Sequence, residues 1–281
     1  STPTVTNTPG VLKSIDVSWT AVTGASSYTI KVYDASQVLK NTTTLASGTS
    51  KTILDTTNFL DDTAYTVTVT AIGDATYNDS IASTSSTAGK TAKTYTISYG
   101  ANNATSGTTP SSFTYITGAS AVTVSSNSGT LARTGFTFAG WNTQADGNGT
   151  NYAAGTGTYN TAADAILYAK WTANTYAVTF DANNGNGTQM TNLSITAGTP
   201  ISLTANSYSR TGYTFGGWNT RADGAGTTYA VGLTNFTPPS DLTLYALWNS
   251  TITYNGNGYT SAVGTIPAAT TVIGSANATL A

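Results

Sequence analysis

The sequence predicts a mainly β protein, with a β-sandwich at the start of the chain and small, repeated β modules after it. Apolar residues alternate with polar ones over short runs, and Gly, Ser and Asn interrupt those runs. The phrase RTGFTFAGWNTQADGNG begins at Arg133, and RTGYTFGGWNTRADGAG begins at Arg210, about 77 residues later. Alternation with period two is typical of half-buried antiparallel strands, and a fixed repeat indicates a copied domain unit.

The composition excludes several classes of function. Only 8% of the 281 residues are charged and the net charge is −2, so nucleic acid and anionic membrane surfaces are not expected partners. The chain contains no Cys, His or Glu. It therefore lacks the Ser-His and Cys-His nucleophile pairs and the nitrogen and sulfur ligands of zinc. We expect no enzyme activity, no metal and no cofactor.

The composition also indicates whether the protein is secreted or inserted in a membrane. Thr supplies about a fifth of the residues, which gives a surface of neutral hydroxyl groups such as many secreted bacterial proteins have. No apolar run of 18 residues occurs, so membrane insertion within this segment is not expected. The first ten residues, STPTVTNTPG, lack the features of a signal peptide, and a secreted protein would therefore be represented here by its mature form or by an internal piece.

The sequence pattern of residues 1–92 predicts that this segment forms the β-sandwich. The runs SIDVSWT, SYTIKVY and AYTVTVTA alternate with period two, and STAGKTAKT (86–94) predicts a last edge strand that leads into a short linker. VSWT with Trp19, the following strand with Tyr28, and NFLDDTAYTVTVTA resemble the fibronectin type III domain. The resemblance implies a tyrosine corner, in which the hydroxyl of Tyr65 bonds to nearby backbone above Phe59 or Leu60. The integrin-binding tripeptide Arg-Gly-Asp is absent.

The repeats predict two complete modules, 93–173 and 174–249, and a partial third, 250–281. Each opens with an alternating strand, and the complete ones close with ILYAKWT (166–172) or TLYALWN (243–249). VTFDANNGNG, RTGYTFGGWNTRADGAGTTY and TLYALW, with their first-copy counterparts, resemble the InlB B-repeat, also called the Listeria-Bacteroides repeat, of bacterial surface proteins. The resemblance implies small β-grasp-like modules in an extracellular setting and no catalytic activity. With short connections, we expect an extended row.

The third copy stops before the repeated phrase. Half a module exposes unpaired strand edges, which leaves two interpretations open. The chain is a fragment of a longer array, or residues 250–281 are completed by strand addition from another copy.

The repeated phrase contains the residues that most resemble a binding site. Trp141 and Trp218, with Trp171 and Trp248 in the closing strands, could form a sugar-stacking surface. Their fixed positions beside Phe and Tyr residues favour a core role instead. Because Phe136 and Phe138 differ in parity from Trp141, the strand must slip by one residue if all three face one core, and a bulge is predicted at Gly140 and at Gly217.

Other polar candidates have simpler interpretations. Asp146, Asp223 and Asp181 lie in Gly-rich stretches, but calcium needs six to eight oxygen ligands, and a turn role is therefore favoured. Lys170 is a weak candidate for an isopeptide cross-link, since Glu is missing. The Thr residues of TVTVT (66–70) are predicted to form the solvent face of a strand. Asn-x-Ser/Thr sequons are expected by chance in this composition, although O-glycans remain possible partners.

The sequence therefore predicts a structural, non-catalytic segment of a secreted bacterial cell-surface protein: a stalk, an adhesin, or a subunit of an extracellular filament or lattice. Its expected partners are other copies of itself or other cell-surface components. One alternative is a carbohydrate- or receptor-binding module, which requires exposed Trp or Tyr. Another is the accessory spacer region of a large secreted hydrolase.

Overall fold

The computed structural model describes residues 2–252 and 270–273, and within them every regular element is a β-strand. The described part of the chain thus offers no helix of the length and apolarity needed to cross a bilayer. Contacts divide it into two compact units. One contains residues up to Leu131 together with Ala139–Lys170, and the other contains Ala132–Phe138 and the described residues from Trp171 onward. The predicted mainly β fold is confirmed.

The first unit begins with a sandwich of two antiparallel sheets. One sheet has the order β1-β2-β5, and the other has the order β4-β3-β6-β7. The strands are β1 (Thr4–Asn7), β2 (Ser14–Ser18), β3 (Ser27–Tyr33), β4 (Leu39–Leu45), β5 (Ser50–Leu54), β6 (Ala64–Ile72) and β7 (Gly89–Lys90). Alternate residues of β3 and β6 are buried between the sheets, as the period-two pattern predicts.

Tyr65 at the start of β6 fixes the chain that precedes it. Its hydroxyl accepts a hydrogen bond from the backbone N–H of Leu60 at 2.8 Å, as predicted. The ring of Phe59 packs against the Tyr65 ring with 4.6 Å between centroids and is fully buried. Leu60 is 62% exposed, so Phe59 is the residue beneath the tyrosine.

A ladder of serines covers most of the β6 edge. Ser80, Ser83 and Ser86 donate their backbone N–H groups to the carbonyls of β6 residues 71, 69 and 67 at 2.8, 2.8 and 2.9 Å. Their Oγ atoms accept the N–H groups of the same three residues. In this serine ladder, a serine hydroxyl takes the place of a backbone carbonyl as the acceptor of each β6 N–H group. The segment that contains the serines therefore advances three residues for every two residues of β6. The edge strand predicted within 86–94 is consequently only two residues long, β7.

The rest of the first unit contributes to a five-stranded mixed sheet of order β12-β11-β14-β8-β9 and a small β10-β13 pair. Ile97 of β8 lies opposite Ala165 of β14 in a parallel pairing. The strands are β8 (Thr94–Gly100), β9 (Phe113–Ile116), β10 (Val122–Thr123), β11 (Phe136–Asn142), β12 (Asn151–Tyr152), β13 (Thr158–Tyr159) and β14 (Ala165–Ala173).

The second unit repeats this arrangement in the order β16-β15-β19-β17-β18, with β20 paired to the far end of β19. Its strands are β15 (Thr175–Asp181), β16 (Leu193–Thr196), β17 (Thr214–Asn219), β18 (Thr228–Tyr229), β19 (Leu242–Ile252) and β20 (Thr270–Ile273). In both copies the first and last strands form the central parallel pair, as in a β-grasp sheet. Of the predicted third segment, residues 253–269 and 274–281 lie outside the described residues.

The predicted bulge lies at the glycine that precedes the tryptophan. The β17–β19 register shifts between Phe215 and Gly217, and Gly217 has a φ of 124°. A Cβ atom added to Gly217 would lie 2.7 Å from the carbonyl oxygen of Tyr229. Gly140 has a φ of 108° and the same 2.7 Å approach to the Tyr152 carbonyl. Both the conformation and the close approach therefore require glycine.

We expect Gly217→Ala to destabilise the β17–β19 region by about 2–4 kcal/mol, because it combines backbone strain with a steric clash. Gly232→Ala is the matched control. Gly232 also has a positive φ, 73°, but an added Cβ would meet nothing within 4 Å, so the control should lose only about 1 kcal/mol. Hydrogen exchange of the β17 and β19 amides measures both changes, and equal losses would contradict the steric role of the bulge.

We also expect the free energy of unfolding of the sandwich to fall at acid pH because of one residue, Asp55. Burial alone would raise the pKa of Asp55, but hydrogen bonds from the side chains of Asn41 and Asn58 and from the backbone of Asn58 and Thr57 outweigh it and lower the pKa to about 2. An unfolded Asp has a pKa of about 3.9. The stabilisation is therefore complete above about pH 4 and is lost as the pH falls toward 2.

Urea unfolding of the full chain between pH 6 and pH 2, followed by hydrogen exchange of the β2 and β5 amides, measures this dependence. Asp55→Asn should be less stable than the parent at pH 6 and should show a shallower decline on acidification. A parent and variant with parallel pH profiles would show that Asp55 does not contribute.

Candidate functional site

The tryptophans of the repeats lie mainly in the cores. Trp141, Trp218 and Trp248 are 0%, 1% and 2% exposed. Trp218 packs against Phe180 and Phe215, with ring centroids 4.7 and 5.0 Å apart. Indoles buried in this way cannot stack on a sugar ring, so these three positions do not form the sugar-binding surface that was weighed from the sequence.

Not every aromatic residue of the repeats is fully buried, and Phe136, Phe138 and Phe215 are only partly buried. Trp171 is only partly buried and contacts Phe138 edge to face at 5.6 Å. Tyr213 is 36% exposed and lies just before β17, where the guanidinium of Arg210 covers one face of its ring at 4.0 Å. Sequence parity does not distinguish these positions, because their burial depends on what packs across the sheet rather than on strand alternation.

The loop after each core tryptophan is organised by one buried asparagine. The side-chain Nδ2 of Asn142 donates to the carbonyls of Gly147 and Gly149 at 3.1 and 2.9 Å and to Asn151 Oδ1 at 2.7 Å. Its Oδ1 accepts the backbone N–H groups of Gln144 and Gly149. The amide thus uses its full donor and acceptor capacity inside the loop.

In the second copy, Asn219 makes the equivalent set of hydrogen bonds, and we call Asn142 and Asn219 the buried hubs. Its Nδ2 donates to the carbonyls of Gly224 and Gly226 and to Thr228 Oγ1, and its Oδ1 accepts from the N–H groups of Arg221 and Gly226. Both asparagines are 0% exposed. The sequence analysis did not identify them, although the Trp-Asn pair recurs in both copies and carried the signal.

A second pair of asparagines ties the same loop to the closing strand. Asn102 Nδ2 donates to the carbonyls of Ala145 and Ala169, both at 2.8 Å. Asn183 Nδ2 makes the matching bonds to Ala222 and Ala246. Both residues have a left-handed backbone, with φ of 47° and 46°, a conformation that Asn tolerates well. Polar side chains of this region are thus committed to internal hydrogen bonds.

The aspartates of the loops are turn residues in this structure. Asp146 Oδ1 accepts the N–H of Asn148, and Asp181 Oδ1 accepts the N–H of Asn183. Asp223 accepts the N–H of Ala225 and pairs with Arg221 at 2.6 Å, which together lower the pKa of Asp223. Among the described residues, no group of three His, Cys, Asp or Glu side chains could hold a metal ion.

The two remaining polar candidates also have local roles. Lys170 Nζ donates to Asn151 Oδ1 at 2.8 Å in an exposed position, whereas an isopeptide bond requires a buried pair with a carboxylic acid beside it. Thr66, Thr68 and Thr70 are half-buried rather than fully solvent-exposed. The predicted solvent face is therefore partly covered.

Two open grooves, one on the sandwich and one on the first repeat, are lined by aromatic residues together with polar ones. The sandwich groove, of about 500 Å³, is lined by Trp19, Tyr28 and Ile81 among other uncharged residues. The other, of about 430 Å³, is lined by Tyr152, Tyr159 and Asp164 with their neighbours. Burial, with Tyr152 and Asp164 nearby, raises the pKa of Tyr159, whose hydroxyl donates to the Ala163 carbonyl at 2.8 Å. Neither groove brings together an acid, a base and a nucleophile.

The geometry defines a class of protein: tandem β modules whose aromatic side chains fill the cores and whose polar side chains close their own loops. The chain belongs to the Listeria-Bacteroides repeat domain family, which matches residues 95–170 and 176–247, together just over half of its length. This result confirms the resemblance that the repeated phrase indicated.

Two proteins from Evansella cellulosilytica are similar to part of this chain. One, named "Putative Gly-rich membrane protein", is 34% identical over 147 residues, which are 49% of this chain and 17% of that protein. The other, named "Putative membrane protein", is 36% identical over 86 residues, which are 30% of this chain and 13% of that protein. The chain thus spans less than a fifth of the length of either relative. No solved structure matches the chain.

We expect Asn142→Ala to destabilise the first repeat by about 2–4 kcal/mol, because the substitution leaves several buried loop groups without partners. Asn148→Ala is the matched control in the same loop, where the exposed side chain makes one bond of 3.1 Å to Asp146. The control should change stability by less than about 0.5 kcal/mol. Hydrogen exchange of the β11 and β12 amides compares the two. Similar effects would show that Asn142 is an ordinary turn residue.

Proposed function

We propose that this chain is a structural, non-catalytic spacer within a secreted bacterial cell-surface protein, and that residues 1–92 are a fibronectin type III-like sandwich that precedes the repeats. The observation that carries the proposal is the internal use of the chemistry-bearing side chains in both copies. Trp141 and Trp218 are buried, and Asn142 and Asn219 are fully hydrogen-bonded within their loops. Side chains committed in this way stabilise modules and are not free to bind a substrate.

The comparisons support a surface location. Both relatives are named as putative membrane proteins, and the matched segment forms a small part of each. In such a protein, a run of self-contained modules sets the separation between other segments. Extracellular placement is accordingly part of the proposal. Other copies of the chain, or other components of the cell surface, are the proposed partners.

The fibronectin-like assignment is supported by local geometry. The two sheets contain three and four strands. Tyr65 binds the backbone of the preceding corner, and Trp19 packs against Tyr28 with 5.3 Å between ring centroids. A sandwich of this kind is a common spacer in extracellular proteins, which agrees with the role proposed for the repeats.

We expect the full chain, held between two handles in a force experiment, to unfold in separate steps. Each step should correspond to one module, and a repeat of the matched length should release roughly 200–250 Å of chain. Gly217→Ala should lower the force of one step only, since each module has its own core. A single cooperative rupture of the whole chain would contradict the spacer proposal.

A binding assay distinguishes the spacer from a carbohydrate-binding module. We expect the full chain to show no saturable binding to a panel of bacterial and host glycans. Saturable binding that is abolished by substitution of a groove residue such as Ile81, which is 92% exposed, would favour the binding module instead.

A further inference from the structure

Three consecutive residues, 91–93, connect the sandwich to the first repeat, and we call them the strap. Thr91 and Ala92 are only 3% and 1% exposed. The boundary between two domains usually falls in an exposed, flexible segment that few contacts cross. The burial of the strap is therefore unusual for a domain boundary.

The sandwich holds one side of the strap. The Thr91 N–H donates to the Thr63 carbonyl at 3.0 Å. The Asp62 N–H donates to the Ala92 carbonyl at 3.2 Å. Thr91 Oγ1 accepts the Thr63 N–H at 3.0 Å and donates to the Leu60 carbonyl at 2.6 Å. The strap is thus bonded to the corner before β6, whose backbone the tyrosine hydroxyl already holds.

The first repeat holds the other side of the strap through one threonine. The Thr117 N–H donates to the Lys93 carbonyl at 2.9 Å. Thr117 Oγ1 accepts the Lys93 N–H at 3.4 Å and donates to the Lys93 carbonyl at 3.2 Å. Thr117 directly follows β9, which pairs with β8. Neighbouring residues of the strap are therefore bonded to different domains, and a rotation within the strap would break hydrogen bonds on one side or the other.

The turn at residues 117–119, which we call the docking turn, also contacts the sandwich directly. The N–H of Gly10 donates to the Thr117 carbonyl at 3.0 Å. Gly118 has a φ of 80°, and a Cβ atom added to it would lie 2.8 Å from the Cα atom of Pro9. A Cβ atom added to Gly10 would lie 3.0 Å from the backbone of the docking turn. The contact is backbone against backbone, and it leaves no room for a side chain at Gly118.

The second repeat has an equivalent turn after β16. The Ala197 N–H donates at 2.8 Å to the carbonyl of Asn174, the residue before β15. Gly198 then has a φ of 81°. The strap sequence recurs as well, as TAK at 91–93 and as TAN at 172–174. The bond between the docking turn and the residue before the first strand is accordingly a property of the repeat and not of the sandwich.

Two ion pairs lie beside the strap. Lys90 and Lys93 approach the Asp62 carboxylate at 3.4 and 3.5 Å, and the three side chains are 43–64% exposed. Exposed ion pairs contribute little to stability and are screened by salt. The backbone and hydroxyl bonds of the strap, rather than the charges, are therefore the contacts that can hold the two domains together.

We propose that the strap and the docking turn fix the first repeat to the sandwich in one orientation, so that the two domains move as a single rigid body. The docking turn is thus the surface by which a repeat binds the segment before it, and its partner is a turn that offers a backbone carbonyl or N–H group. This rigid coupling goes beyond the spacer role, because it concerns orientation and holds wherever the protein is located.

The test is the measurement of backbone residual dipolar couplings in the full chain. In the parent, the couplings of β3 and β6 in the sandwich and of β8 and β14 in the repeat should fit one common alignment tensor. Gly118→Ala should lose this common tensor, because its Cβ atom forces the docking turn away from Pro9. It should also lower the hydrogen-exchange protection of the Gly10 amide about tenfold, the factor that corresponds to one hydrogen bond.

Two controls separate this contact from backbone strain and from charge. Gly155 has a φ of 76°, and a Cβ atom added to it would lie 3.4 Å from Ser126 of the same repeat, an ordinary contact. Gly155→Ala should therefore keep the common tensor. Asp62→Asn should keep it too, because it removes only the exposed ion pairs. Protection of the β6 and β8 amides reports whether each variant folds.

Thr91→Val tests the strap without added strain, since it keeps the shape of the side chain and removes its hydroxyl bonds to the sandwich. Loosening one side of the strap should free the other, so the protection of the Thr117 amide should fall about tenfold. Unchanged protection of that amide would overturn the proposal, because the strap would then not link the two domains.

The tensor measurement can also reject the proposal. Two tensors in the parent, or one common tensor in a folded Gly118→Ala variant, would overturn it. Loss of the common tensor in Gly155→Ala or in Asp62→Asn would do the same, since strain or charge would then explain the effect. Failure of the stepwise unfolding described above would reject the spacer function and leave the common tensor in place, so the two proposals fail separately.

Discussion

Each repeat depends on the burial of one indole ring. Trp141 and Trp218 are the largest fully buried side chains of the described residues, and their modules have no helix to cover the sheet. A buried aromatic of this size contributes about 5 kcal/mol of hydrophobic free energy. Trp141 packs against Tyr99 at 4.5 Å and Trp218 against Phe180 at 4.7 Å, in tilted geometries. The first strand and the repeated phrase are thereby joined across each sheet.

The backbone around each tryptophan follows from that burial. A regular strand alternates its side chains between two faces, yet three consecutive residues, Gly217, Trp218 and Asn219, are all buried. The bulge at Gly217 breaks the alternation, and the loop that folds over Asn219 covers the third residue. The bulge and the buried amide together allow three consecutive residues to be buried, which explains why Gly, Trp and Asn occur together in both copies.

The same internal use of polar groups extends to the sandwich. The serine ladder pairs the β6 edge with hydroxyl groups at Ser80, Ser83 and Ser86, and a sheet edge that is already paired is a poor template for another chain. Loops closed by Asn142 and Asn219 likewise leave few free donors and acceptors. Side chains that are committed to internal hydrogen bonds in this way agree with the structural role proposed for this chain.

The sequence by itself determined the β class, the repeat, most strand positions and the bulge at Gly217, because these depend on local periodicity, parity and turn chemistry. The repeated phrase also indicated the resemblance to the Listeria-Bacteroides repeat. Only the tertiary structure decided that Tyr213 is exposed, that Asn142 and Asn219 are buried hubs, and that serines rather than a full strand cover β6. Asn and Ser have the same local backbone preferences whether they lie in an open turn or in a buried hydrogen-bond network. Which of these two they form depends on the groups that folding brings beside them.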